Sequence, residues 1–287
     1  MQFVQSTECK TETSASRALA VQPKGKRRPG FTSSLLLNAL ALGALWVIYS
    51  AVRTVTADSW GAARSNADRL LAFQDSLGLP SEAVMQQLFL PYEWLVRGAN
   101  MYYLGMHFPS MVVFLVWALF LKREAMPRIR LALIGSTLIG LVIHLAFPLA
   151  PPRMLRFSGF VDTASIFGPD PYALGIAKAA NELAAMPSMH VGWALLIALA
   201  VVKVTRTRWR WLVLAHPIIT SVVVVVTANH YWTDVAVGAA LASLGWWIAG
   251  FVRPEPGAEP ALELVEVSCS VASGMSEDDD ELVSVSH

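Results

Sequence analysis

WLVLAHPIITSVVVVVTANHYWTDVAVGAALASLGWWIAGFV, residues 211–252, decides the architecture of this chain. It contains two apolar runs, near 211–229 and 233–252. Each matches the bilayer, because about 20 helical residues rising 1.5 Å apiece cross its ~30 Å of hydrocarbon. The joint between them is His230-Tyr231-Trp232-Thr233-Asp234, which holds ionisable groups at membrane depth. Such groups are costly there and point to function.

Four further apolar runs lie upstream, near 34–52, 101–121, 131–150 and 188–204. Six spans of about 20 residues fit comfortably in 287 residues. Composition agrees, with 55% hydrophobic residues, 15% charged residues and a mean hydropathy of +0.49, whereas soluble domains average about 25% charged. The expected fold is therefore all-α and integral to a membrane, a bundle of six transmembrane helices. The net charge of +1 cancels a basic start against an acidic end, which gives nucleic acid no support as a partner. Cys9 and Cys269 stand near opposite ends, so neither a disulfide framework nor a thiolate metal site is expected. No dense carboxylate cluster is available for a divalent ion, and no metal or other cofactor is expected.

The remaining segments divide the chain. Residues 1–33 carry Lys10, Arg17, Lys24, Lys26, Arg27 and Arg28 among Ser, Thr and Pro, and read as a disordered basic head. Val55-Thr56-Ala57 resembles a signal cleavage site, but the preceding run exceeds the 7–15 residues of a signal core, so a retained anchor is expected. In residues 58–99, Trp60, Ala63, Ala67, Leu70, Leu71 and Leu77 fall near one helical face, with Arg64, Asp68 and Asp75 off it. Gly78 and Pro80 end that helix and Ser81 suits the cap of the next. An interfacial amphipathic pair and a packed extramembrane hairpin both fit. Residues 34–99 thus form the first span plus these helices, 100–252 a catalytic membrane core, and 253–287 a disordered tail, acidic at Glu277 to Glu281.

Charge sets the orientation. One short loop carries Lys122, Arg123, Arg128 and Arg130, the other Lys203, Arg206, Arg208 and Arg210. Short basic loops stay in the cytoplasm. Six spans then leave both termini cytoplasmic in a multi-pass cell-membrane protein. Loop 151–187 and the 230–234 joint fall on the extracytoplasmic side.

Three separated segments put chemistry at that side. Pro151-Pro152-Arg153 follows the third span, with Arg156 and Lys178 further along the loop. A guanidinium offers a planar fork that matches phosphate oxygens; an Arg at a membrane boundary also serves as a headgroup anchor. Pro187-Ser188-Met189-His190 opens the fourth span. Ser188 suits an N-cap, the first free N–H groups favour an anion, and His190 falls beside it. His230 and Asp234 share a face if their stretch is helical. A carboxylate on one ring nitrogen fixes the tautomer and leaves the other as nucleophile or base. An ordinary pair closing a helix end is the bland alternative. Together the set suits phosphoryl transfer through a phosphohistidine. One His attacks phosphorus, Asp234 steadies it, the other His protonates the leaving oxygen and Arg balances equatorial charge. Among the other histidines, His107 either lines this pocket or is structural, His144 suits a supporting role, and His216 and His287 carry no functional expectation. Tyr231 and Trp232 could shield the intermediate from water, or belong to an interfacial aromatic belt.

This order and spacing resemble the type-2 phosphatidic acid phosphatase superfamily, whose pattern is K-x6-R-P, P-S-G-H and S-R-x5-H-x3-D on a six-helix membrane bundle. Pro187 to His190 resembles the second motif with Met189 in place of Gly, and His230 and Asp234 match H-x3-D. Ala146 stands at the first-motif Lys, no Pro follows Arg153, and Val223-Val224 replaces Ser-Arg. The Pro-Pro after the third span and the His-Tyr pair are more similar to the inositol phosphorylceramide synthase branch, which transfers phosphoinositol from a phospholipid to a lipid alcohol. The resemblance covers roughly 100–250. It implies His230 as nucleophile, Asp234 as its orienting partner, His190 as general acid, and Arg153 and Ser188 at the phosphate. Arg156 and Lys178 are candidates to replace the missing cations. The expected substrate is a lipid or lipid-linked phosphate, and the acceptor water or an alcohol such as inositol or a lipid hydroxyl. A transporter or scaffold that kept the fold without catalysis is the non-enzymatic alternative.

Overall fold

A computed structural model describes residues 31–155, 159–169 and 181–252. The basic head up to Gly30, the acidic tail from Arg253, Arg156 and Lys178 lie outside the described residues. Among the described residues the regular elements are helical. In order they are α1 (Phe31–Thr56), α2 (Trp60–Ser76), α3 (Glu82–Phe89), α4 (Glu93–Leu121), α5 (Met126–Ala146), α6 (Thr163–Phe167), α7 (Met189–Val204), α8 (Ala215–Val226) and α9 (Trp232–Val252). Short 3-10 turns cover Pro152–Met154 and Arg208–Leu214, the second leading into α8.

Among the described residues, five helical stretches are long and apolar enough to cross a membrane: Leu35–Thr56, Glu93–Leu121, Met126–Ala146, Arg208–Val226 and Trp232–Val252. The fourth expected span, α7, has 16 residues, about 24 Å at 1.5 Å per residue, which is short of the ~30 Å core. Its neighbours explain the deficit. His190, the second residue of α7, stacks on Tyr103 with ring centroids 4.4 Å apart and lies 4.1 Å from His107. Those residues are three to four turns inside α4, so α7 begins recessed in the bundle. Non-helical backbone at such depth is tolerated where protein encloses it. Leu149 and Ala184 form an isolated parallel bridge, and the backbone bonds Leu149–Leu183 and Ala185–Leu149 knit the two legs of the loop above α7.

Small residues set the helix crossings, as close packing in lipid requires. A Cβ at Gly238 would run into the Ser188 carbonyl, one at Gly192 would lie 3.1 Å from the Gly238 carbonyl, and one at Gly245 3.2 Å from the Ala132 carbonyl. α9 therefore lies backbone to backbone against α7 and α5. The half of the bundle carrying the basic loops is filled by Phe114, Ile129, Leu196, Ala242 and Trp246, with the Arg128 guanidinium 4.2 Å over the Trp246 ring. At the other end Asn181 donates from its side-chain amide to Thr56 Oγ1 and from its backbone N–H to the Tyr49 hydroxyl oxygen, which fastens the end of α1 to the site-side loop. The start of α1 and the end of α9 therefore share the bundle end that holds the basic loops.

The α2–α3 hairpin, with Ser81 accepting from the Val84 N–H, has two apolar faces. Ala63, Ala67 and Leu70 pack with Leu149, Ala150, Leu183 and Tyr231, while Phe73, Leu77, Val84 and Leu88 stay exposed. Gln74 and Glu82 are buried from the same hairpin. One face thus docks on the loops that carry the polar motifs, and the other remains available to an interface.

Candidate active site

α8 ends in a tight turn that presents the third motif. The Val224 carbonyl accepts both the Asn229 and the His230 N–H, at 3.0 and 3.1 Å. This requires Ala228 at φ 52°, a left-handed conformation that costs a non-glycine residue about 1–2 kcal/mol. In return the Ala228 carbonyl accepts the Arg153 N–H at 2.8 Å, and the Arg153 Nε donates to Asn229 Oδ1 at 3.0 Å. Arg153, from a loop more than 70 residues upstream, is thereby fixed beside His230.

His230 is buried, with Nδ1 2.7 Å from the Ala185 carbonyl and 3.5 Å from Asp234 Oδ2. A carbonyl can only accept, so Nδ1 carries the proton and Nε2 keeps a lone pair. The spacing argument anticipated the Asp234 contact; the shorter bond, to a backbone carbonyl, has no sequence signature. Asp234 Oδ2 accepts the Tyr231 N–H at 2.9 Å, so the carboxylate caps its own helix and steadies the ring together. Its Oδ1 is buried without a hydrogen-bond partner among the described residues. A carboxylate so poorly compensated stabilises positive charge that develops on the adjacent imidazole.

The second motif meets the third directly. The Ser188 N–H donates to the Asp234 carbonyl at 3.0 Å, and the Ser188 hydroxyl caps the Val191 N–H. Ser188 is fully buried and its hydroxyl is committed to the helix. The His190 and His230 ring centroids are 5.7 Å apart. Met189, which stands where the family motif has Gly, is accommodated by a glycine elsewhere: a Cβ at Gly140 of α5 would lie 2.8 Å from its sulfur. His144 Nδ1 donates to the Met186 carbonyl at 2.8 Å, holding the strand-like approach to α7.

Val223 and Val224, the replacements for Ser-Arg, are buried and form an apolar wall near His190. Of the candidate residues, Arg153, Ser188, His190, His230 and Asp234 converge. His107 joins them, stacked on Trp193 at 4.6 Å, and Asn229 is a partner that motif spacing overlooked. Among the described residues no set of three or more His, Cys, Asp and Glu side chains is arranged for a metal ion. Tyr231 is not an exposed belt residue. It is fully buried and donates to the Ala150 carbonyl at 2.9 Å, and burial, with Asp234 nearby, pushes its phenol well above the ordinary range, so it stays a donor.

The hairpin completes the site. Glu82 Oε1 accepts the Trp232 N–H at 2.9 Å and Gln74 Oε1 accepts the Thr233 N–H at 3.0 Å, while Gln74 Nε2 bonds Glu82 Oε1 at 2.7 Å. With Asp234 on the Tyr231 N–H, the first turn of α9 is capped almost entirely by side chains. Such orphan donors are costly if left buried and unpaired. The only sequence signal for these caps is a Gln and a Glu on the apolar side of an amphipathic pair.

A family model described as the PAP2 superfamily matches residues 68–248. A phosphoinositol dihydroceramide synthase of Bacteroides thetaiotaomicron is 28% identical over 145 residues, which is 45% of this chain and 47% of the relative. The match therefore spans about half the length of that curated relative. No solved structure matches the chain.

Proposed function

The chain belongs to the PAP2 superfamily, and from that premise we propose that it is a phosphotransferase that moves a phosphoryl-linked headgroup between membrane lipids through a phosphohistidine on His230. The observation that carries this reading is the pairing of an Nε2 lone pair on His230 with a second imidazole, His190, beside Arg153. His230 Nε2 attacks phosphorus and forms the P–N bond as the P–O bond to the departing lipid breaks. His190 gives that oxygen a proton, Asp234 balances the imidazolium, and Arg153 faces the equatorial oxygens. An acceptor hydroxyl then attacks phosphorus. Its proton passes to His190, the new P–O bond forms, and the P–N bond breaks. Acid, base and charge stabilisation each have a side chain, so the cycle runs without a metal ion. Water is the competing acceptor.

The name of the Bacteroides relative supports phosphoinositol as the headgroup. Purified protein given phosphatidylinositol with a long-chain N-acyl amino-alcohol should form a new inositol phosphodiester, and release of inositol phosphate should fall as acceptor rises. Unchanged hydrolysis with no transfer product from any alcohol would make the protein a phosphatase instead.

We further propose six spans, with α7, fourth in chain order, added to the five long ones, and an extracytoplasmic site in the cell membrane. The support is that the basic loops and the site occupy opposite ends of the bundle. Asp162→Cys should react with an impermeant thiol reagent on intact cells, and Glu124→Cys, exposed in the first basic loop, only after permeabilisation. The reversed pattern overturns the orientation.

A further inference from the structure

The α2–α3 hairpin is built inside out. On α3, Glu82 and Gln86 lie one turn apart and are almost wholly buried, while Val84 and Leu88 on the opposite face are 57% and 64% exposed. The end of α2 repeats the inversion. Gln74 is buried, and Phe73 and Leu77 are 53% and 58% exposed. The buried polar groups are all committed. Gln86 Nε2 donates to the Val161 and Val226 carbonyls, and its Oε1 accepts the Val161 N–H; Gln74 and Glu82 cap α9. A helix facing water turns its polar side outward. Polar groups within and apolar groups without suit a surface that meets hydrocarbon.

Position says what covers this surface. Three residues, Leu90 to Tyr92, join α3 to α4, and the Tyr92 N–H bonds the Phe89 carbonyl at 2.9 Å. Such a link reaches about 10 Å at most, so α3 stays at the level where α4, a helix of bilayer length, begins. The bond from Gln86 to the Val226 carbonyl holds it beside the end of α8 as well. Apolar surface continues from the hairpin onto these spans: Phe89 of α3 and the exposed Ile219 of α8 wall one groove between α4 and α8. Tyr92 and Trp94, exposed around the start of α4, are of the types that collect at the membrane–water boundary. From Trp60 to Arg97 the exposed charges are Arg64, Asp68, Arg69, Asp75, Glu93 and Arg97, three of each sign. Attraction to charged lipid therefore cancels, and buried apolar area carries the contact.

We propose that Phe73, Leu77, Val84 and Leu88 form a bilayer-docking surface, lodged at the headgroup–acyl boundary of a zwitterionic leaflet, and that the docked hairpin holds the first turn of α9 through Gln74 and Glu82. Helices of this kind sink about 5–10 Å into the leaflet. The Trp232 and Thr233 amides that the hairpin bonds directly precede Asp234, the partner of His230. The bilayer surface thus bears on the order of the site from outside it. This assignment goes beyond the transferase reading and does not rest on which reaction the site performs.

Full-length protein carrying Cys9→Ser and Cys269→Ser is placed in phosphatidylcholine nanodiscs and spin-labelled at Leu77→Cys, Val84→Cys or Leu88→Cys. Relaxation by oxygen is compared with relaxation by a water-soluble nickel chelate. Oxygen should dominate at all three, as at Val113→Cys on the exposed flank of α4. Nickel should dominate at Arg64→Cys, exposed on the side of α2 opposite Phe73. Added salt or phosphatidylglycerol should leave the profile unchanged. In the double variant Val84→Gln/Leu88→Gln, amide exchange at Trp232 and Thr233 should quicken at least about tenfold, with the later turns of α9 unaffected. Nickel dominating at all three positions would make the hairpin an extramembrane cover. Access to neither reagent, with labels on different copies broadening one another, would make it a dimer face. Either result overturns the proposal, as does unchanged exchange at Trp232 and Thr233. If labels and exchange behave as expected while the wild type turns over no phospholipid, the transferase reading fails and the docking surface stands.

Discussion

His230→Ala should leave no phosphoenzyme and no turnover, a loss on the order of 10⁴-fold or more in kcat, as expected when a nucleophile is removed. The ring also has a structural bond, from Nδ1 to the Ala185 carbonyl at 2.7 Å. Alanine would leave that buried acceptor unpaired, at about 1–3 kcal/mol. His230→Asn separates the two effects, because its amide can donate to Ala185 but offers no nucleophile. It should melt near the wild-type temperature and be equally inactive. The readout is the acid-labile label trapped from ³²P-phospholipid. Label retained in His230→Asn would move the nucleophile to another residue.

His190 carries the next largest effect. As general acid it should contribute about 10²–10⁴-fold with an alkoxide leaving group. Its ring is also part of a stack, between Tyr103 at 4.4 Å and His107 at 4.1 Å. His190→Phe keeps a ring in that stack and removes the proton donor. It should lose the full factor on a phospholipid and less than about tenfold on p-nitrophenyl phosphate, whose leaving group needs no proton. The phosphoenzyme should still form from the activated substrate. Equal rescue of His190→Phe and His230→Asn would mean that neither residue has the assigned role.

The all-helical, membrane-type character and the residues that meet at the candidate site were both readable in the chain, for a shared reason. Apolar runs of bilayer length and the spacings Pro187 to His190 and His230 to Asp234 are local patterns. What they missed are contacts that cross the fold. Nothing near His230 says that the Ala185 carbonyl takes its Nδ1–H, since a backbone acceptor has no side-chain signature. Asn229 was overlooked because its partner, Arg153, is 76 residues away. The shortness of α7 follows from its depth against α4, which a hydropathy run does not record. The hairpin's amphipathic face was legible, but its buried Gln74 and Glu82 acquire meaning only once the first turn of α9 is beside them. Met189 looked like a departure from the family motif, and Gly140 on another helix is what makes room for it.

Those hairpin caps bear on how the protein is made. Gln74 and Glu82 emerge from the ribosome early, whereas their partners, the Trp232 and Thr233 amides, lie 150 and 159 residues later. The interaction that sets the first turn of α9 is thus among the most sequence-distant of the described residues, and distant contacts form late. A nascent chain halted before residue 230 has an Arg153 loop and a His190 helix but neither His230 nor α9, the helix that orders it. The proposed chemistry therefore starts only once α9 has been made and has met the α2–α3 hairpin.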